Sequence, residues 1–163
     1  MKVEYYSVSL RKLIILSLCT FNFYLIYWQY KNWKAIQIQE GCKISPCLRS
    51  IFSIFFIYSL FKRILTSEVN KDFKKEVSPA PLAIFYILLL YAWRLPDPYW
   101  WVTLLGFLPF IYVQRAVYFN NLALNPDAIP DNKFSGKTLT VIIVGGLLTL
   151  FSLYSSLVLG IKS

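Results

Sequence analysis

Between Lys137 and Lys162 the chain runs 24 residues, 138–161, without a charged side chain. As a helix this run is about 36 Å long, enough to cross the roughly 30 Å hydrocarbon layer of a bilayer with room for tilt. Three further uncharged runs lie at 13–30, 77–93 and 98–114, each of span length or close to it. A fifth, between Arg49 and Lys62, has only 12 uncharged residues and follows Ser45 and Pro46, a good helix start. An interfacial or re-entrant helix over 46–65 is therefore expected there, with a thin fifth span as the alternative.

Composition agrees with a lipid-covered chain. With 57% hydrophobic and only 15% charged residues, 163 residues cannot hide their apolar side chains in one water-soluble core. The expected fold is all-α: a single polytopic membrane domain with four transmembrane helices plus the 46–65 helix, or else five transmembrane helices. Lys2, Arg11 and Lys12 ahead of the first run imitate a secretory signal, but Leu18 stands where cleavage before Cys19 needs a small residue, so the segment is expected to stay attached.

Prolines and charges mark the turns. "RLPDP", Arg94 to Pro98, cannot continue a helix, and Trp93, Tyr99, Trp100 and Trp101 beside it suit the head-group layer. A hairpin is expected, with Arg94 and Asp97 as its salt bridge or cap. "KRILTSEVNKDFKKE", from Lys62 to Glu76, reads as a solvated connector. "NPDAIPDNKFSG", with Asp127 and Asp131, is a turn-rich connector without a calcium-loop pattern.

Lys and Arg set the orientation. Four spans place 12 basic residues on one face and 5 on the other; five spans place 11 and 6. The two counts disagree about the side of the N-terminus. Both put the Lys62 connector and the Arg115 to Lys137 loop in the cytoplasm.

The formal charge of +9 would suggest nucleic acid in a soluble protein. Here the basic residues cluster between apolar runs, so anionic phospholipid is the expected partner and no nucleic acid is. Histidine is absent, removing the commonest general base. Cys42 and Cys47 flank "KISP", but a zinc site needs two more ligands, so unpaired thiols are expected and neither metal nor cofactor.

The series "YWQYKNWKAI", "ISPCLRSIFSIFFIYSLF", "LPDPYWW", "FLPFIYVQRAV" and "NKFSG" before a Gly-Gly apolar tail resembles a family of uncharacterised bacterial multi-span inner-membrane proteins, a domain of unknown function. The resemblance covers most of the chain, and Cys47 and Leu48 depart from it where aromatics are expected. It implies a bacterial inner-membrane location and brings no activity or catalytic residue with it.

Two groups of residues carry the functional expectations. Arg115, with Gln114, Asn120 and Asn121, interrupts an apolar stretch; Arg115 either snorkels to phosphates or joins those amides in a ligand or lipid-head-group site. Gly145, Thr149, Ser152, Ser156 and Gly160 make a small-residue stripe on one helix face, for internal packing or for a homo-oligomer or membrane-partner contact. No catalytic residue is assigned, since no nucleophile-and-base pair is visible. The expected function is a non-catalytic component of a membrane assembly that binds anionic lipid through basic cytoplasmic loops. A small-solute or ion pore or carrier around Arg115 is the alternative, and an intramembrane lipid enzyme ranks below both.

Overall fold

The computed structural model describes residues 3–41, 43–67, 77–96 and 99–160, with Leu159 and Gly160 described by backbone alone. Cys42, Asp97 and most of the charged connector lie outside the described residues. The regular elements among them are all helices: α1 (Leu10–Cys19), α2 (Phe23–Glu40), α3 (Pro46–Ile51), α4 (Ser53–Leu65), α5 (Pro79–Tyr91), α6 (Leu108–Leu124) and α7 (Gly136–Gly160). Two 3₁₀ stretches, Ala92–Arg94 and Tyr99–Phe107, extend α5 and precede α6. A lone bridge joins Val8 to Asp131.

The helix expected over 13–30 is two helices. Phe21 and Asn22 take positive φ values of 48° and 66°, which reverses the chain between α1 and α2. The reversal is held by its own polar groups: Thr20 Oγ1 donates to the Leu16 carbonyl at 2.6 Å and accepts from the Tyr24 amide at 3.0 Å. Asn22 Nδ2 donates to the Thr103 carbonyl at 2.7 Å and the Asn22 amide donates to the Ser17 carbonyl at 2.7 Å, so the non-helical backbone here is paired inside the protein. Because α2 folds back, Tyr6, ahead of α1, meets Asn32 well along α2: the Tyr6 amide donates to Asn32 Oδ1 at 3.0 Å.

The 46–65 helix is likewise bent, at Phe52, into α3 and α4. Gln37 donates to the Ile44 carbonyl at 2.8 Å just ahead of α3, and the Arg49 guanidinium lies 4.6 Å above the Trp33 ring. At the far end of α4, Arg63 forms an ion pair with Glu40 at the end of α2. The α3/α4 pair therefore leaves α2 and comes back to the same end of the molecule.

That end also gathers the N-terminal segment and the loop after α6. Ser9 donates from its backbone to the Asp131 carbonyl, and Asp131 donates from its backbone to the Ser7 carbonyl, at 3.1 and 3.0 Å. The four-span expectation sets the N-terminus opposite this loop; the two are in contact, as in the five-span count.

Phe110 of α6 is the hub of the core. Trp28 of α2, Phe61 of α4 and Tyr86 of α5 each meet its ring edge to face, at centroid distances of 5.4, 5.2 and 5.0 Å. Each such pair contributes about 0.5–1.5 kcal/mol beyond its buried area.

Among the described residues two helices are long and apolar enough to cross a membrane: Tyr99–Leu124, half of whose apolar stretch is buried in the protein, and Gly136–Val158, of whose apolar stretch only 6% is buried. Leu147, Leu150, Phe151 and Tyr154 of α7 are exposed, a continuous apolar surface that water would penalise.

Candidate functional site

Three of the four residues expected to line a ligand site turn out to hold the protein's own N-terminal segment. Gln114 Oε1 accepts from Trp28 Nε1 at 2.7 Å, while its amide donates to the Val8 carbonyl at 2.9 Å and to Ser7 Oγ at 3.2 Å. Asn121 grips Tyr5 twice, accepting from its amide at 2.9 Å and donating to its carbonyl at 2.6 Å. Asn120 donates to the Val3 carbonyl at 2.8 Å and accepts from Ser67 at 3.0 Å. Opposite them, Asn32 takes the Tyr6 amide, and Gln39 both accepts from the Glu4 amide and donates to its carbonyl.

The extended backbone of residues 3–8 is thus hydrogen-bonded as a strand would be, by side-chain amides from two helices. Gln114, Asn120 and Asn121 are all buried, so each bond forms away from water and each broken one would leave a polar atom unpaired. Burial pushes the Tyr5 hydroxyl up to about 12, and it donates to the Arg63 carbonyl at 3.3 Å.

Arg115 makes no hydrogen bond to this segment. It is exposed, and with Arg11, Gln114, Tyr118 and Asn132 it lines an open cavity of about 390 Å³. Neither Arg11 nor Arg115 has a carboxylate within ion-pair distance among the described residues.

A larger basin, about 620 Å³, opens between the α1/α2 hairpin and the start of α7. Tyr6, Tyr24 and Tyr27 form one wall; Lys133, Ser135, Lys137 and Thr138 form the other. Lys12, between them, donates to Asp131 Oδ2 at 2.8 Å and to the Lys133 carbonyl at 2.9 Å. The Lys12 hydrogen bond holds the Asp131 carboxyl below the usual carboxylate range. A depressed value means that the ionised pair stabilises the fold at neutral pH, and that this contribution disappears as the pH falls through it.

The small-residue stripe faces inward over the part of it that can be placed. A Cβ on Gly145 would lie 2.0 Å from the Cys19 carbonyl oxygen, so the two backbones touch. Thr149 Oγ1 donates to the Gly145 carbonyl at 2.8 Å, with the Leu18 carbonyl at 3.3 Å, and Ser156 accepts from Trp100 Nε1 at 2.8 Å. Ser152 is half-buried, and the surroundings of Gly160 are not described. Gly145, Thr149 and Ser156 thus each meet another part of the chain.

Arg94 lies over the rings of Tyr91 and Trp93, at 5.7 and 5.8 Å; its expected partner Asp97 lies outside the described residues. Cys19 and Cys47 carry free thiols. Among the described residues no group of three or more His, Cys, Asp or Glu gathers that could hold a metal ion.

The Lys133 and Lys137 basin escapes a reading of the sequence, because its two walls are more than a hundred residues apart. No protein-family model, curated protein sequence or solved structure matches the chain.

Proposed function

We propose that the chain is a non-catalytic integral protein of a bacterial inner membrane, which binds anionic phospholipid through the end where its hairpins open. One observation carries this reading: the distribution of cations over the folded chain. If α5, the Tyr99–Leu124 helix and α7 cross the bilayer while α1/α2 and α3/α4 enter and return, only Arg94 of the 12 Lys and Arg among the described residues falls on the far side, leaving 11 on the near side. That asymmetry exceeds both distributions expected from the apolar runs alone, and basic residues gather on the cytoplasmic side of bacterial membrane proteins. The half-length of α1, ten residues or about 15 Å, suits a hairpin that stops inside the hydrocarbon.

The same face meets a leaflet rich in anionic lipid, where each exposed Lys or Arg near the surface contributes about 1 kcal/mol of attraction. The basin at Lys133 and Lys137 gives that attraction a place to act.

Two measurements test the proposal. In a cysteine-free background, single cysteines at Ser7 and Asn125 should resist a membrane-impermeant maleimide applied to intact cells, and one at Leu95 should react. Labelling of Ser7 and Asn125 on opposite sides would end the hairpin arrangement. Separately, the purified protein in neutral detergent should unfold several degrees higher with phosphatidylglycerol than with the same concentration of phosphatidylcholine. Equal shifts from the two lipids would remove the anionic preference.

A further inference from the structure

We propose that the cleft between α1 and α7 is a dedicated site for one anionic glycerophospholipid, its phosphate in the basin at Lys133 and Lys137 and one acyl chain in the groove below. This rests on the lipid-binding reading above and assigns it a place.

Charge and shape carry the inference together. The ionisable groups of the basin are Lys12, Lys133, Lys137 and Asp131, besides its tyrosines. Lys12 is spent on Asp131 and on the Lys133 carbonyl, so the net charge of +2 resides on Lys133 and Lys137. Neither of those has a carboxylate partner among the described residues. Tyr6, Tyr27, Ser135 and Thr138 also line the basin, and hydroxyl groups of this kind suit phosphate and glycerol oxygens; the Tyr24 hydroxyl is buried.

Directly along α7 the wall changes character. Val141 borders the basin and also a second cavity of about 440 Å³, whose lining is almost wholly apolar: Cys19, Phe21 and Phe23 on the α1 side, Val144, Gly145 and Leu148 on the α7 side. A polar, cationic basin thus continues into an apolar groove between the same two elements. A free phosphate would use only the first, and a hydrocarbon only the second. A glycerophospholipid has both parts in that order. The Arg11 and Arg115 cavity is cationic too, but no such groove continues from it along α7.

The test uses the full chain in mild detergent and native mass spectrometry with added phosphatidylglycerol or phosphatidylcholine. The wild type should keep one phosphatidylglycerol as detergent lipids are stripped away. Lys133→Gln with Lys137→Gln should weaken its retention about tenfold, and Val144→Trp, which fills the groove without touching the basin, should weaken it comparably. Arg11→Gln with Arg115→Gln should leave it unchanged. Circular dichroism checks that each variant is folded, and the two cleft variants are independent of one another. If both cleft variants hold the lipid as the wild type does, or if the Arg11 and Arg115 variant is the one that loses it, the cleft is not the site while lipid binding stands. A wild type with no preference for phosphatidylglycerol overturns the site and the general reading alike.

Discussion

Gly145→Val is expected to pry α7 from α1 and to lower the unfolding temperature of the detergent-solubilised protein by several degrees or more. The added Cβ would lie 2.0 Å from the carbonyl oxygen of Cys19 and 3.0 Å from its carbonyl carbon. Both atoms are main chain, so no rotamer change relieves the clash, and one helix must move. Overpacking typically costs about 1–3 kcal/mol and sometimes more, and a rigid neighbour places this site at the upper end. Gly146→Ala is the control, since its nearest neighbour is the Cys19 Sγ at an ordinary 3.5 Å. Reaction of Cys19 with a small maleimide should accelerate in the first variant and not in the second. Equal melting and equal Cys19 reactivity in the two would show that α1 and α7 do not meet at Gly145.

Asn121→Leu is expected to release the N-terminal segment. Asn121 is buried, and it supplies both the acceptor for the Tyr5 amide and the donor to the Tyr5 carbonyl. Leucine fills similar space and serves neither. Each buried polar group left unpaired costs about 1–3 kcal/mol, so the loss of both should reach roughly 2–6 kcal/mol. Hydrogen exchange reads it directly: amides of Tyr5 and Tyr6 should lose protection while those around Phe110 keep theirs. Arg115→Leu, a larger change of charge at an exposed neighbour, should leave both regions as they are. Unaltered exchange at Tyr5 in Asn121→Leu would mean that the segment is held by something other than the amide ladder.

Much of the helical layout could be read from apolar runs, and the reasons for the exceptions are local. The run over 138–161 became α7, Gly136–Gly160, because nothing within it competes with a helix. "LPDP" marks the break between the 3₁₀ turn at Ala92–Arg94 and the one that begins at Tyr99. The α1/α2 reversal carries no such mark. Its residues are Thr20, Phe21 and Asn22, with neither glycine nor proline, and of the two in positive φ only the asparagine is a residue type that tolerates it readily. Tertiary bonds, above all Asn22 to the Thr103 carbonyl, make that conformation affordable, and they join positions 81 apart.

The polar residues of α6 were conspicuous in the sequence for a sound reason, since Gln114, Asn120 and Asn121 do need buried partners. Their partner is peptide backbone from residues 3–8, which offers no side-chain pattern by which to find it. Arg115 drew attention with them through sequence proximity, yet its side chain lies on another face of the helix. The basin at Lys133 and Lys137 was invisible for a related reason: two ordinary loop lysines become a site only when Tyr6, Tyr24 and Tyr27 fold over them.

The amide ladder also sets an order of events during biosynthesis. Tyr5 leaves the ribosome 116 residues ahead of Asn121, its partner in both hydrogen bonds. At about 5–20 residues per second the interval is on the order of ten seconds. Throughout it the early segment has only the α2 half of its ladder, Asn32 and Gln39, and lacks the other half. Its full capture then reports that the sixth helix has arrived, so residues 3–8 lock only after a helix made long after them.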